Sequence, residues 1–212
     1  MNPNIKFEKM NNILLCEYKP VLMYEITYPI IGGFIVKSVE ERINSYYERR
    51  THELLKSLRT YLYSNAVIQY RKCLSDGFPF RIYEYSCISE CSYSDEKTIC
   101  IKQRISNIKN GRDHHALKTQ VWSVANGTKQ NISHYVNVNN KHDIVSGIVN
   151  EIKDSLKSEE NRYFKNAPSL AMKLFDKNNY YIFSRDELAV FYPEATLCPS
   201  CFGIPEFVRN YQ

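Results

Sequence analysis

The residues whose spacing speaks most directly of chemistry are Cys198-Pro199-Ser200-Cys201. A Cys-x-x-Cys pair serves as a redox dithiol when a helix begins at it, because the helix N-terminus lowers the first thiol's pKa. It also supplies half of a tetrahedral zinc site. Here Phe202-Gly203-Ile204-Pro205 follows, a run that cannot continue a helix, and this weighs against redox catalysis. Zinc needs two further ligands. Cys91 and Cys100, on the two arms of an expected hairpin, are candidates, as are His114 and His115. The plainer alternative is that these cysteines are small buried hydrophobes, as free cysteines usually are.

A second group is Asp113-His114-His115. A histidine beside a carboxylate suits general-base or metal work. No H-E-x-x-H, G-x-S-x-G or phosphate-loop spacing accompanies it, and the other carboxylates are scattered. Gly32-Gly33 stands between a strand and a helix without the glycine spacing of a nucleotide-binding turn. No catalytic residue is assigned and no cofactor is expected.

These residues must be positioned by ordinary elements. Val21 to Tyr28 alternates as a strand, and Ser38 with Glu41 reads as a capping box. That box opens a long helix, roughly 38 to 74, on which Val39, Ile43, Tyr46, Leu54, Leu58 and Leu62 recur. Asp76-Gly77 ends it, and Asn65 to Ile68 is the expected place for any break. A hairpin follows, Phe80 to Tyr93 and Thr98 to Ile108. With Asp95-Glu96 as its loop centre, Cys91 lies opposite Cys100 and Cys87 opposite Arg104. Asn110 to His115 reads as a polar loop before a strand from Lys118 to Ser123, and Asn126-Gly127 as a turn. Asp143 caps a helix striped by Ile144, Val145, Ile148, Val149, Ile152 and Leu156. Glu159 to Phe175 is a second helical stretch that Pro168 interrupts or begins. Strands at Tyr180 to Phe183, Leu188 to Tyr192 and Ile204 to Val208 close the chain, the last two separated by an irregular bend, Pro193 to Gly203.

At 212 residues the chain can bury a core without disulfides or metals. Its hydrophobic fraction of 43% excludes a disordered chain. The net charge of +5 is spread along the sequence, so nucleic-acid binding, which shows as a clustered patch, is not expected. No window approaches the ~20 apolar residues of a membrane span, and no secretory leader is recognisable. An odd count of seven cysteines argues against a complete disulfide framework. A soluble, cytoplasmic protein is expected, with association with a spore layer as the alternative. The seventeen tyrosines favour strands, half-buried surfaces and binding faces.

The C-terminal run Tyr180-Tyr181-Ile182-Phe183-Ser184-Arg185-Asp186-Glu187-Leu188-Ala189-Val190-Phe191-Tyr192-Pro193-Glu194-Ala195, leading into Gly203-Ile204-Pro205-Glu206-Phe207-Val208, resembles the closing signature of the RsiV-like domain of unknown function. Gly111-Arg112-Asp113-His114-His115-Ala116, followed by Trp122 to Gly127, resembles that family's glycine-histidine loop. Tyr24 to Ile108 is similar to the companion region that precedes the catalytic domain in PdaC-type peptidoglycan deacetylases. The resemblance implies a two-lobed α+β module that binds lysozyme in membrane-bound anti-sigma relatives and accompanies a separate enzyme domain in deacetylases. Cys198 and Cys201 are a departure, standing in a bend where relatives usually carry other residues.

Together these readings give an α+β fold, antiparallel sheets packed against a long N-terminal helix and a second helical segment. A PdaC-like region, 1–125, and an RsiV-like region, 126–212, are expected to form one compact unit. The expected function is a non-enzymatic binding or regulatory module for an unknown protein or cell-wall-related ligand. Asp113, His114, His115, Glu194 and Phe202 are its candidate contacts, because loops on a rigid sheet carry recognition. Two other classes stand beside it: a structural zinc or thiol-redox protein using Cys198 and Cys201, and a structural component of a cross-linked spore or envelope layer.

Overall fold

The computed structural model describes residues 3–34, 36–136, 138–159 and 161–211, and for 138–140 the backbone alone. The fold is α+β. A six-stranded mixed sheet takes the first six strands in chain order, and a three-stranded antiparallel sheet takes the last three. Two compact units emerge, 3–90 with 103–114 and 91–102 with 115–211. The division runs through three strands of the first sheet, and each unit has a hydrophobic core cluster.

Unit 1 opens with a hairpin that sequence periodicity half concealed. β1 (Asn4–Cys16) pairs antiparallel with β2 (Lys19–Gly32), Cys16 facing Lys19 across a two-residue loop. Glu17 and Tyr18 sit at φ 50° and 64°, as a type I′ loop demands, without the Asn-Gly dipeptide that usually announces one. β1 is mostly exposed, so no strict alternation marks it. Pro29 lies within β2, beyond the Leu22–Ile26 segment that pairs with the next strand.

The long helix is present as α1 (Lys37–Ser57), a π-helical turn over Leu58–Leu62, and α2 (Tyr63–Asp76). Gly77, at φ 72°, ends it. The Ser38 capping box does not form, since the helix starts one residue earlier with Val36 at its N-cap. Instead Glu40 Oε2 accepts from the Phe34 N–H at 3.4 Å, and the Asn44 amide exchanges two hydrogen bonds with the Ile31 backbone. Those bonds tie the first two turns to the end of β2.

The buried stripe is Val39, Ile43, Tyr47, Thr51 and Leu55, then Leu58, Leu62, Ala66 and Tyr70. Tyr47 replaces the expected Tyr46, which packs edge-on against it. A strict four-residue repeat drifts around an α-helix by about 40° per step. The three-residue step from Leu55 to Leu58 turns the stripe back, and the wider π turn, which falls at 58–62 and not at 65–68, takes up a further part of the drift.

This helix carries the chain to β3 (Tyr83–Ser94), which pairs with β2 in parallel. The sheet is therefore mixed where antiparallel pairing was expected, because a strand reached by a helical crossover returns in the same direction. At Thr27 and Ser89 side-chain hydroxyls extend the ladder, Ser89 Oγ donating to Thr27 O at 2.6 Å.

β4 spans Thr98–Lys109 and β5 Arg112–Ser123. The Asp95 N–H bonds Thr98 O at 2.9 Å, so the β3–β4 loop centres on Glu96-Lys97, one residue later than assumed. Close to that register, Gln103 Nε2 donates to Ser89 Oγ at 3.0 Å and Glu90 pairs with Arg104. Asn110 and Gly111, at φ 51° and 72°, form a two-residue turn, and β5 begins at once.

Unit 2 contains β6 (Lys129–Gln130), α3 (Val138–Ser155), α4 (Ala167–Lys173), β7 (Tyr180–Ile182), β8 (Glu187–Phe191) and β9 (Glu206–Asn210). α3 starts five residues before Asp143, which is therefore an exposed mid-helix residue and not a cap. Its Ile144, Ile148, Val149 and Ile152 enter the core as expected. Pro168 stands in the first turn of α4, where its missing N–H costs nothing. Among the described residues no helix is long and apolar enough to cross a membrane.

Buried phenols complete this core. Tyr180 Oη donates to Gln130 O, and Tyr192 Oη to Ala171 O in the last turn of α4, each at 3.0 Å. The last turn of a helix leaves carbonyls without intrahelical partners, so the Tyr192 hydroxyl satisfies a group that burial would otherwise strand.

Two stability outcomes follow. Tyr192→Phe should cost about 1–3 kcal/mol in a urea titration, the price of an unsatisfied buried acceptor. Tyr18, fully exposed and left-handed, should behave oppositely: Tyr18→Gly should raise the unfolding free energy by about 1 kcal/mol through relief of backbone strain.

Candidate functional site

The histidine segment lies on a strand. With Asn110-Gly111 forming the turn, Asp113, His114 and His115 belong to the first residues of β5 and are exposed there. Asp113 accepts from Ser106 Oγ at 3.0 Å. The His115 N–H donates to Glu194 Oε2 at 2.8 Å, so Glu194, in the bend after β8, is joined to β5 through the backbone. Phe202 projects from a single 3₁₀ turn, Ser200–Phe202, and is half exposed. The bend itself is ordered by Thr196 Oγ1 on Pro193 O at 2.6 Å and by Phe164 N on Leu197 O at 2.9 Å.

The cysteines do not build the environment that either chemistry requires. Cys198 is buried and Cys201 exposed, and the segment between them enters one 3₁₀ turn with no α-helix to lower a thiol pKa. Burial pushes the Cys198 thiol up, and the charge of Arg162 opposes this only in part. Burial likewise raises Cys91, whose Sγ donates to Tyr93 O at 3.3 Å. Cys100, in the core of unit 2, is pushed up to about 11. All seven cysteines are free thiols. Among the described residues no group of three or more His, Cys, Asp or Glu side chains is placed to hold a metal ion, so Cys91, Cys100, Cys198 and Cys201 do not form the zinc site considered above.

Unit 2 offers a cleft that the motifs did not indicate. A cavity of about 470 Å³ is lined by the rings of Tyr93, Tyr135 and Tyr211 and by two acids and two bases, Asp95, Glu96, Lys97 and Arg185, with Thr98 and Ile182 completing its walls. The size is that of a small-molecule site. Tyr135 and Tyr211 meet edge to face, ring centres 6.1 Å apart.

The phenols are committed to the protein. Tyr93 Oη donates to Asp95 Oδ2 at 2.9 Å, Tyr135 Oη bonds Gln130 Oε1 and Thr98 Oγ1, and Tyr211 Oη donates to Arg185 O. Burial, reinforced by the Asp95 carboxylate, pushes Tyr93 up to about 12. Burial moves Tyr135 equally far, and all three rings stay neutral across the ordinary pH range.

The charges divide differently. Asp95 is spent, its Oδ1 accepting from the Lys97 and Thr98 N–H groups at 2.8 and 2.7 Å while Oδ2 takes the Tyr93 hydroxyl. The side chains of Lys97 and Arg185 make no hydrogen bond or ion pair among the described residues. The cleft thus presents aromatic walls and two uncommitted cations. Tyrosine abundance was the only sequence signal for it, and abundance does not give position.

No protein-family model and no curated protein matches the sequence. Solved structures do match the fold. A member of the DUF3298 family from Bacteroides fragilis aligns with a TM-score of 0.68 at 11% identity, covering 99% of this chain and 90% of its own. A DUF3298 family protein from Pseudomonas aeruginosa aligns at 0.59 and 9% identity, over the same shares. This chain has the fold of DUF3298 proteins. At these identities the likeness concerns the fold alone and assigns no residue a role.

Thiol labelling provides a check on the cysteine environment. With iodoacetamide at pH 8, Cys201 should alkylate first, while Cys198 and Cys100 should react only as the protein opens. Fast modification of Cys198 in the native protein, seen by peptide mapping, would contradict a buried, protonated thiol.

Proposed function

We propose that the chain is a non-enzymatic binding or regulatory module of the RsiV-like kind, with a PdaC-like companion region. In this reading its ligand is an anionic cell-wall fragment received in the tyrosine-lined cleft of unit 2. The observation that carries the proposal is the difference in commitments there: of the two acids on the wall, Asp95 is consumed by its own loop and Glu96 is engaged as well, whereas Lys97 and Arg185 make no hydrogen bond or ion pair among the described residues. Arginine on an aromatic wall suits a carboxylate attached to a ring, which the ring faces can pack while the guanidinium takes the charge. Muropeptides carry such carboxylates beside sugar rings. The His115–Glu194 junction and exposed Phe202 would then form a second contact surface for a protein partner such as lysozyme.

The cysteine-centred alternatives gain no support from the environment of Cys198, whose thiolate is disfavoured by burial.

Calorimetric titration with muropeptides and, separately, lysozyme tests the proposal. Muropeptide binding should weaken with salt and fall about tenfold or more in Arg185→Ala, the scale of one lost charge-assisted hydrogen bond. Lys97→Ala should give a smaller loss. Glu194→Ala should leave muropeptide binding unchanged and alter only a lysozyme contact. Silence of the wild-type protein toward both ligands would remove the reading.

A further inference from the structure

β1 is the outer strand of the six-stranded sheet, with β2 as its neighbour among the described residues. Thirteen residues long, it is the kind of edge that proteins normally cover or blunt. Its apolar side chains are left in solvent: Phe7 and Met10 are each 38% exposed and Ile13 51%.

The direction of its unused backbone groups can be read from three contacts. Cys16 closes the two-residue loop against Lys19, which turns the backbone of Cys16 toward β2. Thr27 O accepts from Ser89, so odd-numbered residues of β2 point their backbone groups to β3 and even-numbered ones to β1. The Ile13 N–H, finally, is taken by the neighbouring Asn12 Oδ1 at 2.8 Å. All three place the N–H and C=O groups of Phe7, Lys9, Asn11 and Ile13 on the open edge. Leu15 belongs to the same set, but its carbonyl is already occupied by Tyr63 Oη at 2.7 Å, so the open stretch ends at the carbonyl of Ile13, whose N–H the exposed Asn12 side chain must release on pairing.

We propose that this edge pairs antiparallel with β1 of a second copy of the chain, about a twofold axis at Met10, to give a dimer with a continuous sheet. The register is decided by charge and shape. A twofold axis normal to the sheet sets some residue of β1 against itself. Centred on Glu8 or Lys9, pairing would oppose like charges directly, which is unfavourable. Centred on Asn11, it would set Glu8 and Lys9 against Leu14 and Ile13 and would require the blocked Leu15 carbonyl. Centred on Met10, it places Met10 against Met10, Phe7 against Ile13, and Glu8 and Lys9 against the neutral Asn12 and Asn11. Lys9 keeps its intramolecular partner Glu25, 2.9 Å away. The exposed apolar side chains are then the ones that meet.

Light scattering after size exclusion gives the first test: the species at tens of micromolar should have twice the chain mass of 24.9 kDa. Asn11→Pro removes an N–H that points only outward and should yield a monomer with an unchanged far-UV spectrum. Ile13→Lys should weaken the dimer at least tenfold, and it serves as the folded control should the proline variant unfold. In the Met10→Cys variant, mild oxidation should join the two introduced thiols, since directly opposed non-hydrogen-bonded positions lie within disulfide reach. Peptide mapping distinguishes that link from one through the native cysteines. A monomeric wild-type protein overturns the proposal, as does a dimer that survives Ile13→Lys and does not cross-link at residue 10.

Discussion

The structure of unit 2 depends on tyrosine hydroxyls that reach main-chain carbonyls inside its hydrophobic core. A phenol cannot be buried cheaply unless its proton finds an acceptor. Tyr180 finds Gln130 O on β6, and Tyr192 finds Ala171 O at the end of α4. Thr119 Oγ1 on β5 in turn donates to Tyr180 O at 2.6 Å. Each bond joins elements distant in sequence, so the β7–β8–β9 sheet has one position relative to β5, β6 and α4 in which every such group is satisfied. Burial of the rings supplies the driving force, and the hydrogen bonds select the arrangement. The same demand acts on Tyr181, whose hydroxyl is held by Glu206 while the ammonium of Lys102 lies 4.4 Å from its ring.

Unit 1 answers a different constraint, the return of the chain after a long helix. An apolar stripe at four-residue intervals must stay against β2 and β3 over about ten turns, and an unbroken α-helix would rotate it away. The π turn at Leu58–Leu62 absorbs part of the rotation, and both of its end residues are buried. The helix then delivers β3 in parallel to β2, so the sheet is mixed and β1 is left as an uncovered edge.

The cleft and the cysteines show how burial sorts potential chemistry. Desolvation raises Cys100 and Cys198 and so favours the neutral thiol over the nucleophile. Among the tyrosines of the cleft it preserves neutral rings, which makes them walls and not bases. Lys97 and Arg185 stand there beside Glu96 without a hydrogen bond or ion pair of their own among the described residues. Local hydrogen bonding, more than the count of charges, sets the character of that surface.

Sequence by itself determined what short-range physics governs. The 3.6-residue stripe of α3, the glycine stop at Gly77, the Asn126-Gly127 turn and the β7–β8 hairpin are all local patterns, and all are present. It also placed Asn110-Gly111 in view, although the dipeptide closes a tight hairpin and thereby puts Asp113 to His115 on a strand and not in a loop. Tertiary structure alone decided the parallel β2–β3 pairing, the hairpin closed by Glu17-Tyr18, the burial of Cys100 and Cys198 and the gathering of Tyr93, Tyr135, Arg185 and Tyr211 around one cavity. The reason is that a periodicity reports which face of an element is apolar, whereas a cleft depends on which elements meet. That meeting is settled by long-range burial and by the satisfaction of polar groups far apart in the chain.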